Sequence, residues 1–286
     1  MGISSQKFTG DKASCHNEYG VLKKVIVVSP RYMHTDRPSN GMQKKSRNKN
    51  ILIETALKQH EDFVSVLEDN GVEVIYLESK KSLYEQVFTR DIGFCLGNNL
   101  FVATMERTIR KQEENVIMKW LKDHQYPFDK IETSSIEGGD IIIDGQTIWV
   151  GVSDRTSEAA IQQLSNKLKG YHVHSLPLAN NILHLDCAFN VLSSDTAIVY
   201  AQALTKEDLE VLKKHYKLIE ITDEEQLNLA TNVLSIGNKK IVSLAQNDRI
   251  NNVLRGNGFE VIEVEFSEII KSNGSFRCCS MPLLRQ

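Results

Sequence analysis

The chain has 286 residues, 41% of them hydrophobic and 25% charged, and a net charge of −3. These values fit one large globular domain or two small ones and exclude a strongly basic nucleic-acid-binding surface. No apolar run approaches the roughly 20 residues of a membrane span, and the start of the chain is polar, so the cytoplasm is the expected compartment.

In chain order, residues 1–17 read as a flexible arm ahead of a single domain spanning 18–286. Residues 22–28 form a strand ended by Ser29-Pro30. Residues 31–50 are polar and lack apolar periodicity, which predicts a long loop and a candidate lid; its basic cluster Lys44-Lys45-Ser46-Arg47-Asn48-Lys49 reads as solvated. The spacing of Ala56, Leu57, His60, Phe63, Val64 and Leu67 predicts an amphipathic helix over 53–69, closed by Asn70-Gly71. A strand follows over 72–77. Residues 87–96 and 100–105 read as a strand pair, followed by a helix over 107–124. Residues 140–143 and 147–152 pair across Asp144-Gly145-Gln146, an Asp-Gly hairpin signal. A helix over 157–168 and a strand over 171–178 come next. Then 189–192 pairs with 197–201, and Thr205 caps a helix to His215, with Asp208 in the capping-box position. Finally 232–236 pairs with 240–244, a helix runs over 247–255, and a strand over 259–266.

A unit of antiparallel pair, helix and strand thus recurs about five times, every ~45 to 65 residues, a period that signals a repeat architecture. No Pro/Ser/Gly-rich linker interrupts the series. Five units closing in a ring would gather the polar residues at the starts of the hairpins around one axis. An open α/β sandwich is the alternative.

Five cysteines stand at 15, 95, 187, 278 and 279. The odd number and the absence of a CxxC pair argue against a disulfide framework or a structural zinc site. The stretch Ser275-Phe276-Arg277-Cys278-Cys279-Ser280-Met281-Pro282 places two thiols close to the end of the sequence, where a chain frays unless it is docked. Asp91, Glu137, His184 and Cys278 each stand beside the first strand of a repeat or at the terminal strand. Such a set suits attack by a thiolate on a guanidinium carbon. Carboxylates hold the N–H groups by charge-assisted bidentate bonds and fix the carbon over the sulfur. The substrate's positive charge favours the thiolate, and His184 protonates the leaving nitrogen and then activates water. This chemistry needs no metal, and no cofactor is expected. A metal site built from His172, His174, His184 and Cys278 is a competing reading, as is a protein that only binds a partner.

Phe88-Thr89-Arg90-Asp91, Glu137-Gly138-Gly139-Asp140, His184-Leu185-Asp186 and Cys278-Cys279-Ser280-Met281-Pro282-Leu283 resemble the motifs of the guanidine-modifying pentein superfamily, which includes dimethylarginine dimethylaminohydrolase, arginine deiminase and the arginine:glycine amidinotransferases. The resemblance implies a five-bladed α/β propeller of ββαβ units with pseudo-fivefold symmetry. It implies Cys278 as nucleophile, since the family cysteine precedes the proline by four, His184 as acid and base, and Asp91, Glu137 and Asp186 around the guanidinium. It further implies that Arg155, and Arg110 as a second arginine, hold the substrate carboxylate, and that Glu85 meets the α-amino group. The expected partner is a small guanidino compound, with no nucleic acid and no membrane; a homodimer is compatible with the chain. Two departures bear on the substrate. The methylamine-releasing hydrolases usually lack a carboxylate two residues after the histidine, where this chain has Asp186. Arg277 stands where deiminases and amidinotransferases carry histidine. Deiminases typically carry an extra helical domain for which 286 residues leave no space, so length points toward the dimethylarginine hydrolases and Asp186 toward an unmethylated guanidine, with transfer to an amine as the alternative to hydrolysis.

Overall fold

Five three-stranded sheets hold the strands of the described residues, 13–34, 50–132 and 134–286 of the computed structural model. Strand β1 (Leu22–Val27) runs parallel to β2 (Glu73–Tyr76), and helix α1 (Ile53–Asp69) connects them. The second sheet is β3 (Gly93–Leu96), β4 (Asn99–Val102), helix α2 (Lys111–Asp123) and β5 (Phe128–Lys130). The third is β6 (Ile141–Asp144), β7 (Thr147–Val152), α3 (Glu158–Lys167) and β8 (His172–Pro177). The fourth is β9 (Phe189–Ser193), β10 (Thr196–Val199), α4 (Lys206–His215) and β11 (Lys217–Glu220). After the short helix α5 (Asp223–Leu227) comes the fifth: β12 (Leu234–Gly237), β13 (Lys240–Leu244), α6 (Asp248–Gly256) and β14 (Glu260–Val264). The last strand, β15 (Met281–Arg285), returns to the first sheet and pairs antiparallel with β1.

One rule covers all five sheets. The central strand pairs antiparallel with one neighbour and parallel with the strand that follows its helix. Central strands are buried on both faces and so read as continuous apolar runs, such as Ala197-Ile198-Val199 and Ile241-Val242. The hairpins turn tightly. Gly145 adopts φ +60°, which glycine accepts without a Cβ clash, and this lets Gly145-Gln146 reverse the chain between the paired residues Asp144 and Thr147. The helices bury one stripe, which in α1 is Ala56, Gln59, His60, Phe63, Val64 and Leu67. Phe63 meets Phe266 and Phe276 at ring distances of 5.6 and 5.3 Å, so this stripe anchors the segment leading to Cys278. Ser157 caps α3 by accepting from the Ala160 N–H, and Thr205 caps α4 by accepting from the Asp208 N–H, each cap worth about 1 kcal/mol. The Asp208 carboxylate accepts from the Thr205 hydroxyl.

Contacts link each sheet to the next and the fifth to the first. β15 packs on β3, β6 on β9 and β1 on β12. Thr104 bridges to Ile136 between the second and third sheets, and the Asn190 side chain donates to the Thr231 and Val233 carbonyls between the fourth and fifth.

Several expectations need correction. Residues 13–17 are not a loose arm: Ser14, Cys15 and Asn17 bridge to Leu284, Gly97 and Asp144, and Cys15 is buried. Residues 1–12 lie outside the described residues, as do 35–49, which hold most of the expected lid and its basic cluster. The strand expected over 87–96 begins only at Gly93; residues before it form turns, because Phe88 N–H bonds to Glu85 O and Arg90 N–H reaches across to Cys278 O. Strands β5 and β11 and helix α5 are additions to the sequence reading. No helix among the described residues is long and apolar enough to cross a membrane.

Candidate active site

The turn before each hairpin, or before β15, delivers a side chain to one buried cluster. Asp91 precedes β3, Glu137 precedes β6, His184 precedes β9, Asn232 precedes β12 and Cys278 precedes β15. All five side chains are buried. The structure brings Asp91, Glu137 and His184 together on one side of the cluster and Asp186 and Cys278 on the other.

His184 is the hub. Its Nε2 lies 2.8 Å from Glu137 Oε2 and its Nδ1 lies 3.6 Å from Asp91 Oδ1. Burial alone would lower its pKa, but Asp91, Asp140 and Glu137 push it up to about 10, so the ring is an imidazolium at neutral pH. Burial would likewise raise Glu137, yet the hydrogen bond from His184 and the charge of Arg155 bring it down to about 2. Asp140 stands behind this pair. Its Oδ1 accepts the Leu185 N–H at 2.8 Å and its Oδ2 accepts the Ser153 hydroxyl at 2.7 Å, and burial raises its pKa to about 6. The two glycines between Glu137 and Asp140 are required by space. A Cβ on Gly139 would come within 2.8 Å of the His184 ring, and one on Gly138 within 2.2 Å of the Arg90 carbonyl.

Cys278 lies on the other side of the cluster. Its Sγ is 3.7 and 3.9 Å from the two oxygens of Asp186, whose own pKa is raised by burial against the pull of Arg277 and His184. Its backbone N–H donates to Asn232 Oδ1 at 3.1 Å. Cys279 turns away into the core, and burial pushes its thiol well above the ordinary value. Arg277 Nε is 3.5 Å from Asp186, while its Nη atoms bind Glu18 and the Ile141 carbonyl. Arg90 binds the same Glu18 at 2.9 Å. Both motif arginines are thus structural partners of one buried carboxylate.

Cys278, His184 and Asp91 line one narrow cleft together with Glu85, Phe88, Arg110 and Arg155. Arg110 donates from Nη1 to Asp91 at 2.6 Å and from Nη2 to Glu113 at 2.8 Å, with Glu85 3.5 Å from its Nε. Burial opposes its charge, but Glu113, Asp91 and Glu85 hold it firmly protonated. Arg155 Nη1 sits 3.4 Å from both Glu137 oxygens. Asp91 Oδ1 and His184 Nδ1 are buried and make no hydrogen bond among the described residues, so the cleft presents an acceptor and a donor side by side.

Among the described residues, two groups could each hold a metal ion, with the ligand atoms inside each group within 4.8 Å of one another: Asp91, Glu137 and His184, and Asp186, Cys187 and Cys278. His172 and His174 belong to neither. His174 instead stacks on Trp149 at 4.7 Å, and the four-ligand set of His172, His174, His184 and Cys278 is not brought together. Asn232, Asp140 and Glu18 are the supporting residues not singled out from the sequence. Asn232 had one usable signal, its position before the fifth hairpin, equivalent to Asp91, Glu137 and His184.

Several known proteins are similar to this chain. The chain is 44% identical over 285 residues to the uncharacterized protein YkgA of Bacillus subtilis, covering 100% of this chain and 99% of that one. Arginine deiminase of Bacillus thuringiensis is 29% identical over 82% of this chain and 68% of its own. Among solved structures, the N-terminal domain of ArgZ, a cyanobacterial arginine dihydrolase, superposes with a TM-score of 0.84 at 21% identity, covering 92% of this chain and 97% of that one. SxtG, an amidinotransferase of Microseira wollei, superposes with a TM-score of 0.83 at 17% identity, covering 96% and 97%. The fold and the relatives define a pentein, a member of the superfamily of arginine-modifying enzymes. Residues 29–285 match the family described as N,N dimethylarginine dimethylhydrolase, eukaryotic, and the chain belongs to that family.

Proposed function

We propose that the chain is a cysteine hydrolase that cleaves a guanidino C–N bond of arginine or a methylated arginine, giving a ureido product and ammonia or an amine. The observation that carries this reading is the convergence of His184, Asp91 and Cys278 on one small cleft. In the reaction Cys278 attacks the guanidinium carbon. Asp91 and Asp186 hold the N–H groups by charge-assisted hydrogen bonds, and the positive carbon beside the sulfur stabilises the thiolate. His184 starts as imidazolium, so the proton for the leaving nitrogen is already in place. Glu137 keeps the ring oriented and charged through the bond at Nε2. Once His184 has given up its proton it can take one from water, which attacks the S-alkylthiouronium carbon and releases Cys278. Arg155, with Arg110 behind it, faces the substrate carboxylate, and Glu85 faces the α-amino group. We place these turns around the axis of a closed five-bladed propeller, which accounts for the contacts that run from each sheet to the next and from the fifth to the first.

Asp186 favours the unmethylated member of the pair. A buried carboxylate 3.7 Å from the sulfur offers an acceptor where a dimethylated nitrogen has no proton to give. Transfer to an amine instead of water uses the same first half-reaction, as the likeness to SxtG suggests. Purified protein incubated with arginine, monomethylarginine, dimethylarginine and agmatine, with and without glycine, decides among them by product. Citrulline with ammonia is the expected outcome, absent from Cys278→Ser. Citrulline with dimethylamine alone would reverse the reading of Asp186, and an amidino-glycine product would replace hydrolysis by transfer.

A further inference from the structure

The mechanism leaves one buried thiol beside the nucleophile unused. Cys187 ends the turn Leu185–Cys187, and its Sγ lies within 4.8 Å of Cys278 Sγ, with Asp186 facing both sulfurs. The Cys187 thiol is 3.6 Å from Asp186 Oδ1, and Cys278 is 3.9 Å from the same oxygen. The two turns are fastened to each other. Asn232 donates from Nδ2 to the Asp186 carbonyl at 3.3 Å, accepts the Cys278 N–H on Oδ1 at 3.1 Å, and accepts the Arg277 N–H on its own carbonyl at 3.3 Å. Thr231 adds a bond to the Asp186 carbonyl, and Gln226 a bond to that of Cys187. The sulfurs are therefore held as neighbours by backbone clamps, and side-chain rotation is the movement left for closing them to the ~2.05 Å of a disulfide.

We propose that Cys187 is a resolving thiol for Cys278, so that a small hydroperoxide converts the active site into a reversible Cys187–Cys278 disulfide. Cys278 is the sulfur that lines the cleft, where a peroxide reaches it. Its thiolate attacks one peroxide oxygen; the S–O bond forms as the O–O bond breaks, sulfur is oxidised to sulfenic acid, and hydroxide leaves. The Cys187 sulfur then attacks the sulfenic sulfur, the S–S bond forms, and the sulfenic hydroxyl leaves as water with the Cys187 proton, for which Asp186 is the adjacent acceptor. The roles do not interchange. Cys187 is buried and is not part of the cleft lining, so its sulfur meets an electrophile only once Cys278 has become one. The disulfide stops turnover while protecting Cys278 from the irreversible sulfinic acid.

The functional consequence rests on Cys278 being the nucleophile; the crosslink does not, and mass spectrometry reads it without any assay of turnover. The full chain is treated with hydrogen peroxide, free thiols are alkylated, and the peptides are mapped. The expected result is a Cys187–Cys278 linked pair, about two mass units lighter than the separate thiols, with lost activity restored by dithiothreitol. Cys187→Ala turns over at the wild-type rate before oxidation, but peroxide then carries its Cys278 to sulfinic acid and dithiothreitol restores nothing. A Cys278–Cys279 link, or sulfinic Cys278 with free Cys187 in the wild-type chain, overturns the proposal. A linked pair in a protein that turns over none of the guanidines would leave it standing and sink the hydrolase reading instead.

Discussion

His184 carries its charge in a place where a lone imidazole would lose it. The ring is fully buried, and three carboxylates supply the field that burial withholds. Its pKa of about 10 in the fold lies above the ordinary 6.5, so the folded state binds the proton more tightly than the unfolded chain does. The stabilisation this provides is present in full below pH 6.5 and is lost as pH rises through about 10. The melting temperature of His184→Asn should therefore fall furthest below wild type under pH 6.5, and the gap should narrow by pH 10. A gap of constant size would show that the histidine is neutral. The same substitution removes the proposed proton donor, and turnover should drop by about 10²- to 10⁴-fold, measured under saturating substrate.

Short turns, more than strands or helices, carry the site. The Glu137–Asp140 turn brings Gly139 against the His184 ring so closely that a methyl group cannot be added without moving it. Gly139→Ala should fold with a melting temperature near wild type and lose about 10²-fold in kcat, the cost of a misplacement near 1 Å. Full activity in that variant would mean that the ring has room to spare. Elements with strong local signals were legible in the sequence. The central strands and the amphipathic helices follow from continuous apolar runs and 3.6-residue spacing. The outer strands β5 and β11 were not legible. β11 buries only Ile219 fully and exposes Lys217 and Glu220 at its ends, and none of the three residues of β5 is fully buried. Pairing with a central strand is what makes them strands, and a local pattern does not record that.

Across the whole molecule, the contacts between sheets depend on residues far apart in the chain. β15 completes the sheet begun by β1, and Glu18 joins Arg90 to Arg277 in the interior. The catalytic candidates could be read from sequence because Asp91, Glu137, His184 and Cys278 recur at equivalent points of successive units. Glu18 could not, since a single carboxylate becomes meaningful only when the fold brings its partners near, whereas Asn232 offered only its position before the fifth hairpin. Glu18→Ala would leave two buried guanidinium groups short of their shared counter-charge, and urea denaturation should show a loss of about 3–5 kcal/mol. An unchanged midpoint would show that Asp186 and the backbone carbonyls suffice. All of these contacts converge on the claim that Cys278 forms a covalent bond to the substrate carbon. The measurement that tests it most directly is acid quenching during turnover of arginine, followed by peptide mapping. The account predicts an amidino adduct on Cys278 that is absent from Cys278→Ser, with Cys279 unmodified; turnover that persists in Cys278→Ser, or an adduct on any other residue, would contradict it.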